Sequence, residues 1–128
     1  MDITDVQEPI TATKTDLSQS SFDTVLLKKA RFHDAGMQRT AFEDINLSDA
    51  RFEQFNLSRA TFTDGAMPGV RFESANMAGA GFSDVSLMGA SIENANLIGL
   101  NISGCNMSRM RIDGVLVEDL LAAYRKTA

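Results

Sequence analysis

The sequence predicts an all-β solenoid, and the main evidence is a repeat of five residues. A large apolar residue stands at every fifth position from Leu17 to Ile112, and all twenty of these residues are Leu, Phe, Met or Ile. A helix has a period of 3.6 residues and a strand a period of two, so a sustained period of five fits neither. It requires a backbone that turns a corner every five residues, in short units that stack on one another to bury their side chains.

A second position in each unit is also predicted to point inward. The residue two before each apolar centre is small, or is Val, Thr or Cys, in sixteen of the twenty units. Phe55 is one of the exceptions, and its neighbours twenty residues away are Ala35 and Ala75. A large side chain between two small ones conserves the volume of the core, so we expect Phe55 to be packed inward, with a local bulge as the alternative.

The spacing of phenylalanine indicates a coil of twenty residues. Seven of the eight Phe residues lie ten or twenty positions apart, between Phe22 and Phe82. A twenty-residue coil places them in two columns on opposite sides of the core, which continue as Ile residues at positions 92, 102 and 112. We therefore predict stacked aromatic columns along two inner walls.

Individual units resemble the consensus of the pentapeptide-repeat family, which reads small, Asp or Asn, Leu or Phe, polar, then Gly or any residue. Clear matches are residues 45–49 (INLSD), 75–79 (ANMAG) and 95–99 (ANLIG). The resemblance implies a right-handed quadrilateral β-helix with four pentapeptides per coil. Twenty units would then form about five coils over residues 15–114, a rod on the order of 24 Å long at the spacing of adjacent strands.

Both ends of a solenoid need caps. Residues 1–14, which include Ile3, Val6 and Ile10, are predicted to form an N-terminal cap or arm. Residues 115–128 leave the five-residue pattern and predict a short capping helix over residues 117–126, with acidic residues in its first turn and basic residues in its last. Its apolar residues are expected either to cover the last coil or to form the contact of a C-terminal homodimer: Leu116, Leu120, Leu121 and Tyr124.

Composition excludes several classes of protein. The chain carries 12 Lys and Arg against 17 Asp and Glu, a net charge of −5, which weighs against direct nucleic-acid binding. No apolar run is long enough to span a membrane, and residues 1–15 do not resemble a secretory signal. The single cysteine, Cys105, excludes an internal disulfide and a cysteine metal cluster, and with no export signal it favours the cytoplasm.

Charged residues differ among the four predicted sides, which we name by their apolar centres. The first side is centred on residues 17, 37, 57, 77 and 97, and the second, third and fourth sides follow at steps of five. The second side carries no basic residue. Its five carboxylates, which we call the acidic face, are Asp23, Glu43, Asp44, Asp64 and Asp84. This face is either a solvated surface or a contact for a basic partner protein, and a divalent-ion site is the weakest alternative.

The fourth side combines two columns of opposite charge. Its basic column consists of Arg31, Arg51, Arg71 and Arg111, and its acidic column of Glu53, Glu73, Glu93 and Asp113. We interpret these columns as a structural ladder of exposed ion pairs, with a recognition surface as the alternative.

No set of residues indicates catalysis. The one histidine, His33, is expected on the surface of the first coil, and Cys105 is expected to be a small buried residue of the fifth. The two lie about four coils apart, on the order of 19 Å, too far for a nucleophile and its base. The sequence therefore predicts no catalytic residue, no metal site and no cofactor, and a protein that is not an enzyme.

The sequence favours a non-catalytic interaction or scaffold module that presents flat solenoid faces to an unknown protein partner. The resemblance implies an alternative. Some pentapeptide-repeat proteins, those of the quinolone-resistance type, mimic a DNA duplex and bind DNA gyrase or topoisomerase IV. The sign of the acidic face agrees with that alternative, whereas the nearly neutral repeat body and the absence of inserted loops favour the first.

Overall fold

The computed structural model describes residues 11–13, 16, 18–23, 28–34 and 36–127. Short strands recur every ten residues and are followed by one helix, α1, at Val117–Thr127. The strands are β1 (Thr11–Thr13), β2 (Ser21–Asp23), β3 (Arg31–His33), β4 (Ala41–Glu43), β5 (Arg51–Glu53), β6 (Thr61–Thr63), β7 (Arg71–Glu73), β8 (Gly81–Ser83), β9 (Ser91–Glu93), β10 (Asn101–Ser103), β11 (Arg111–Ile112) and β12 (Val115–Leu116).

Strand pairing closes the chain into coils of twenty residues. The second side is a parallel sheet in the order β10-β8-β6-β4-β2, and the fourth side is a sheet in the order β1-β3-β5-β7-β9-β11-β12. Each parallel pair joins residues twenty apart, such as Phe32 with Phe52. On the first and third sides single β-bridges replace strands, as between Asn56 and Asn76 and between Ala66 and Ser86. The predicted β-solenoid is thus confirmed, and residues 36–116 make about four of its coils.

The sheet of the fourth side begins with residues that precede the five-residue repeat of the sequence. Strand β1 pairs with β3 although it lies before residue 15, where the repeat was predicted to start. The rest of the predicted N-terminal cap, including Ile3, Val6 and Ile10, lies outside the described residues, as do the repeat centres Leu17 and Leu27.

Left-handed backbone turns the corners of the coil. On the first and third sides the turn residue has a positive φ, such as 58° at Asp49, and the N–H of Ala50 donates to the carbonyl of Leu47 at 3.0 Å. These are the marks of a type II turn. The side chain of Asn46 steadies the same turn, because its Oδ1 accepts a hydrogen bond from the N–H of Ser48 at 2.9 Å. A five-residue unit therefore needs an extended centre followed by one residue that tolerates positive φ.

The core contains the two predicted aromatic columns. Along the second side the rings of Phe22, Phe42, Phe62 and Phe82 stack with centroids 4.5–4.9 Å apart. On the fourth side Phe32, Phe52 and Phe72 stack at 4.6 and 5.0 Å. Rings of the two columns meet edge to face, as Phe62 and Phe72 do at 6.4 Å. The coil spacing fixes the stacking distance, and the edge contacts give the opposite columns a favourable geometry.

Phe55 is buried, as predicted. Its ring makes edge contacts with Phe32 at 5.8 Å and with Phe52 at 5.4 Å, and one coil further on Ala75 is small and buried. The other predicted neighbour, Ala35, lies outside the described residues. The large side chain therefore fills volume inside the core without interrupting the coil, since β5 and β7 keep their register.

Candidate protein-interaction faces

The acidic face lies on the outer surface of the second-side sheet. Phe42, Phe62 and Phe82 point into the core, and the carboxylates that follow them are exposed. Asp23 and Glu43 are direct neighbours in the register of β2 and β4. The structure stacks the other three carboxylate residues at successive coils in one corner column: Asp44, Asp64 and Asp84. This column is held by the backbone, because each N–H donates to a carbonyl of the next coil, as Asp64 does to Ser83 at 3.2 Å.

Backbone conformation explains part of the preference for Asp at these corners. Asp44, Asp64 and Asp84 have φ values of 51°, 53° and 54°, in the left-handed region that Asp, Asn and Gly tolerate best. The final coil places Gly104 at the same corner, with φ 64°. Sequence reasoning had assigned these aspartates by charge alone and missed this conformational role, although their spacing of twenty residues was a signal for it.

The opposite corner column has the same backbone and a different composition. Its residues also have φ between 50° and 54°, yet four residue types occupy them: Asp34, Gln54, Ser74 and Asn94. The left-handed corner therefore does not by itself require a carboxylate. Three successive aspartates on the second side exceed what the backbone demands.

The fourth side carries the predicted ladder in part. Arg31, Arg51 and Arg71 are register neighbours, as are Glu53, Glu73 and Glu93. Arg51 Nε lies 3.8 Å from Glu53 Oε1, and both side chains are partly exposed, so the pair contributes little stability. Arg111 and Asp113, at the end of the ladder, have other contacts: Arg111 Nη1 donates to the carbonyl of Gly114, and Asp113 Oδ1 accepts from the N–H of Asn94.

The first side contains a shallow polar groove of about 480 Å³. Turn residues of four successive coils line it, and Arg39 and Arg59 supply its cations. Asp16 lies on the same side, and hydrogen bonds from the hydroxyl and backbone N–H of Ser18 lower the pKa of its carboxyl. The groove is open, and its two hydroxyl groups, those of Ser18 and Ser58, have no histidine, aspartate or glutamate beside them among the residues that line it.

The C-terminal segment divides the four residues predicted for a cap or dimer contact. Val117 is buried and Leu121 packs against the core, whereas Leu120 and Tyr124 are 49% and 70% exposed. Leu116, in β12, is half-buried. The inward stripe of α1 is formed by positions 117 and 121, one turn apart, so Leu120 and Tyr124 do not cover the last coil. The alternative, a contact of a C-terminal homodimer, stays a prediction.

His33 and Cys105 differ slightly from expectation. His33 lies on the outer side of β3, opposite Glu53, and is half-buried rather than freely exposed. Cys105 was predicted to be buried and is in fact half-buried, with its Sγ 3.4 Å from the carbonyl oxygen of Ser103. The reason is its place in the final coil, where no further coil covers the core.

Metal binding and membrane insertion are two further properties on which the described residues bear. No group of three or more His, Cys, Asp or Glu residues among them is arranged to hold a metal ion. Within the same residues no helix has the length and apolar character needed to cross a membrane. The cytoplasmic location stays a prediction.

The fold defines a β-solenoid with coils of four pentapeptides, and sequence comparison agrees with it. Residues 35–120 match the model of the pentapeptide repeat region, so the chain belongs to the pentapeptide-repeat family. No curated protein sequence is significantly similar to the chain.

The chain is similar to several solved structures at low sequence identity, and the similarity to HetL shows that it shares the fold of that protein. HetL, a pentapeptide repeat protein involved in heterocyst differentiation regulation in the cyanobacterium Nostoc sp. strain PCC 7120, is 18% identical with a TM-score of 0.61; the match covers 83% of this chain and 51% of HetL. The chain thus spans about half the length of HetL. A pentapeptide repeat protein of the Arabidopsis thaliana thylakoid lumen is 22% identical, with a TM-score of 0.42 and coverage of 91% and 79%. QnrB1, a plasmid-mediated fluoroquinolone resistance protein, is 18% identical, with a TM-score of 0.35 and coverage of 92% and 68%.

Proposed function

We propose that the protein is a non-catalytic interaction module whose acidic face binds a basic surface of a partner protein. One observation carries the proposal. The two corner columns have the same left-handed backbone, but only the column on the second side repeats aspartate, at three successive coils. A stripe of one charge on a rigid surface attracts and orients a cationic partner.

The charge around the column supports this role. Like charges about 5 Å apart repel, and the second side carries no Lys or Arg that would offset the repulsion. On the fourth side, in contrast, Arg and Glu columns alternate and Arg51 reaches Glu53. A basic partner would offset the repulsion on the acidic face when it binds.

The experiment compares two variants that lose the same number of carboxylates. The test variant carries Asp44→Asn, Asp64→Asn and Asp84→Asn, and the matched control carries Glu53→Gln, Glu73→Gln and Glu93→Gln. Asparagine tolerates positive φ as aspartate does, so we expect each Asp→Asn change to alter the unfolding free energy by only about 0.5 kcal/mol or less.

The readout is affinity capture from cell extract at low and high salt, with captured proteins identified by mass spectrometry. We expect wild type and the Glu→Gln control to retain the same partner, and the Asp→Asn variant to lose it, with release as salt rises. An identical captured set for all three proteins would contradict the proposal.

A second candidate function is mimicry of a DNA duplex toward DNA gyrase or topoisomerase IV, favoured by the exposed column of three aspartates. This candidate ranks second because the aspartate column has a lower charge density than a duplex. The column carries one carboxylate per coil, about one per 4.8 Å. A duplex carries about one charge per 1.7 Å, roughly three times as many.

A supercoiling assay with gyrase and a fluoroquinolone tests the second candidate. If it holds, the wild-type protein will inhibit gyrase or protect it, the Glu→Gln control will do the same, and the Asp→Asn variant will not. No effect of wild type at micromolar concentration would dismiss duplex mimicry and leave the interaction module intact. Oligomeric state bears on the same question, because the predicted C-terminal homodimer would double the length of the rod, whereas a monomer would be short beside a duplex.

A further inference from the structure

The C-terminal cap satisfies only part of the last coil. In interior coils each backbone group at the coil edge bonds to the following coil. Toward the end of the chain, three backbone groups that have no following coil to bond to make other hydrogen bonds instead. Glu118 Oε1 accepts from the N–H of Arg109 at 2.6 Å, and the N–H of Val117 donates to the carbonyl of Met110 at 2.9 Å. Asp113 Oδ1 accepts from the N–H of Asn94 at 3.0 Å. The cap therefore closes the third-to-fourth-side corner and the fourth side.

Residues 95–107 form an open edge along the rest of the coil. Their equivalents one coil earlier are bonded: Met77, Gly79, Asp84 and Leu87 each donate an N–H to the next coil at 2.8–3.2 Å. Within the described part of the chain, the corresponding N–H groups make no such bond: Leu97, Gly99, Gly104 and Met107. The carbonyls of Ala75, Ala80 and Val85 likewise accept from the next coil, and those of Ala95, Leu100 and Cys105 do not. Strand β10 is the terminal strand of its sheet, so this edge presents both donors and acceptors.

Side chains at the open edge are also incompletely covered. Met77, Phe82 and Leu87 are 0–2% exposed, whereas their equivalents in the last coil, Leu97, Ile102 and Met107, are only half-buried. On the same coil Ile98 is 76% exposed. An added strand would therefore gain apolar contacts as well as backbone hydrogen bonds.

Charge disappears from the chain toward this edge. Residues 34–48 contain four charged side chains, residues 54–68 contain two, residues 74–88 contain one and residues 94–108 contain none. Natural proteins usually protect exposed strand edges with charged side chains or proline. Within the described residues, the open edge lacks this protection, since residues 94–108 contain neither a charged residue nor proline, although the net charge of the whole chain is −5.

We infer that the open edge binds an extended segment of another polypeptide, which adds to β10 as a further strand. Because the open edge presents backbone N–H donors and carbonyl acceptors in turn, the partner that matches it is a peptide backbone in extended conformation. The half-buried apolar residues of the last coil determine which side chains the partner needs. It should place one apolar residue over Ile102 and others, five residues away on either side, over Leu97 and Met107. The partner segment is thus uncharged at the contact and has a five-residue apolar spacing. This inference concerns the end of the solenoid and does not depend on the acidic face.

The test uses a labelled synthetic peptide with the sequence of residues 74–88, in which Asp84→Asn removes the one charged side chain. Residues 74–88 stack against residues 94–108 within the chain, so the peptide has the required five-residue pattern. The control peptide carries proline in place of Asn76, Gly81 and Ser86. In the coil these three residues donate their N–H groups to the coil before them, as Gly81 does to Ala60. Proline removes that donor while Met77, Phe82 and Leu87 stay in place.

Two protein variants accompany the peptides. Ile102→Glu places a charge in the open edge. Ser103→Glu is the milder change, because Glu43 occupies the equivalent outward position of β4 and shows that the coil accepts a carboxylate there. Fluorescence anisotropy measures binding, and amide hydrogen exchange locates it.

We expect saturable binding of the first peptide to the whole protein, weakened about tenfold or more by the proline peptide and by Ile102→Glu, and more mildly by Ser103→Glu. Exchange should slow at Leu97, Gly99, Gly104 and Met107. Lack of binding at about millimolar peptide, or equal binding of the proline peptide, would overturn the inference. So would protection of the edge that grows with protein concentration and without peptide, because a second copy of the chain would then occupy it.

Discussion

The coil centred on Phe62 and Phe72 and the final coil centred on Ile102 and Ile112 are built on the same backbone but have different environments. Phe62 and Phe72 are each 1% exposed, whereas Ile102 and Ile112 are half-buried. The units follow the same five-residue pattern, so the difference comes from the presence or absence of a following coil. In a solenoid, each coil depends on its neighbour for burial and for hydrogen bonds.

The largest expected effect is on the free energy of unfolding, and it should differ between substitutions in these two coils. Phe62→Ala removes a ring stacked between Phe42 and Phe82, and we expect it to lower the unfolding free energy by about 3–5 kcal/mol. Ile102→Ala removes a half-exposed side chain and should cost less than about 2 kcal/mol. Urea unfolding followed by circular dichroism measures both values. Equal losses would mean that the last coil is as well covered as the interior.

A second comparison is between two glycines of the second side, Gly104 at a corner of the coil and Gly81 in a strand. Gly104 has φ 64°, and a Cβ built there would lie 2.7 Å from Asp84 Oδ1. We expect Gly104→Ala to cost about 1–2 kcal/mol. Gly81 is in a strand with nothing within 4 Å of an added Cβ, and Gly81→Ala should be neutral or slightly stabilising. Thermal unfolding of the two variants distinguishes them, and a similar loss for both would refute the conformational role of the corner.

Glu118 tests whether the cap replaces a missing coil. Its carboxylate accepts the N–H of Arg109 where an interior coil would supply a carbonyl, as Ser108 does for Gly89. Glu118→Ala should lower stability by about 1 kcal/mol and speed amide exchange at Arg109. The control, Asp119→Ala, removes an acid from the same helical turn and should leave that exchange rate unchanged. An unchanged rate in Glu118→Ala would mean that the contact is incidental.

The smallest effect is expected on the fourth side. Arg51→Ala breaks the 3.8 Å contact with Glu53, and since both side chains are partly exposed we expect a change of about 0.5 kcal/mol or less. Chemical unfolding at low and high salt checks this value. A loss above about 2 kcal/mol would show that the ladder is a major source of stability.

Much of the fold could be predicted because the sequence repeats its own geometry. The five-residue period placed the core centres and the Phe columns, and the change of pattern after residue 114 placed α1. The acidic face could be located from charges alone. The left-handed φ of Asp44, Asp64 and Asp84 was missed, because a charge count does not reveal which position of a unit turns the corner.

The end of the molecule was the part least accessible to sequence reasoning. Helical spacing grouped Leu116, Leu120, Leu121 and Tyr124, but the inward stripe depends on how α1 meets β12, which no periodicity encodes. The open edge was also missed, since it is defined by absent bonds between coils. Its one sequence signal was the loss of charge from residues 34–48 to residues 94–108.

Amide hydrogen exchange of the isolated protein, resolved by residue and measured at low concentration, tests the contrast between the interior and the final coil most directly. Met77, Gly79, Asp84 and Leu87 donate to the next coil and should exchange slowly, near the rate set by global unfolding. Leu97, Gly99, Gly104 and Met107 should exchange fast. Equal protection of the two sets would contradict the open edge and the partner inferred for it.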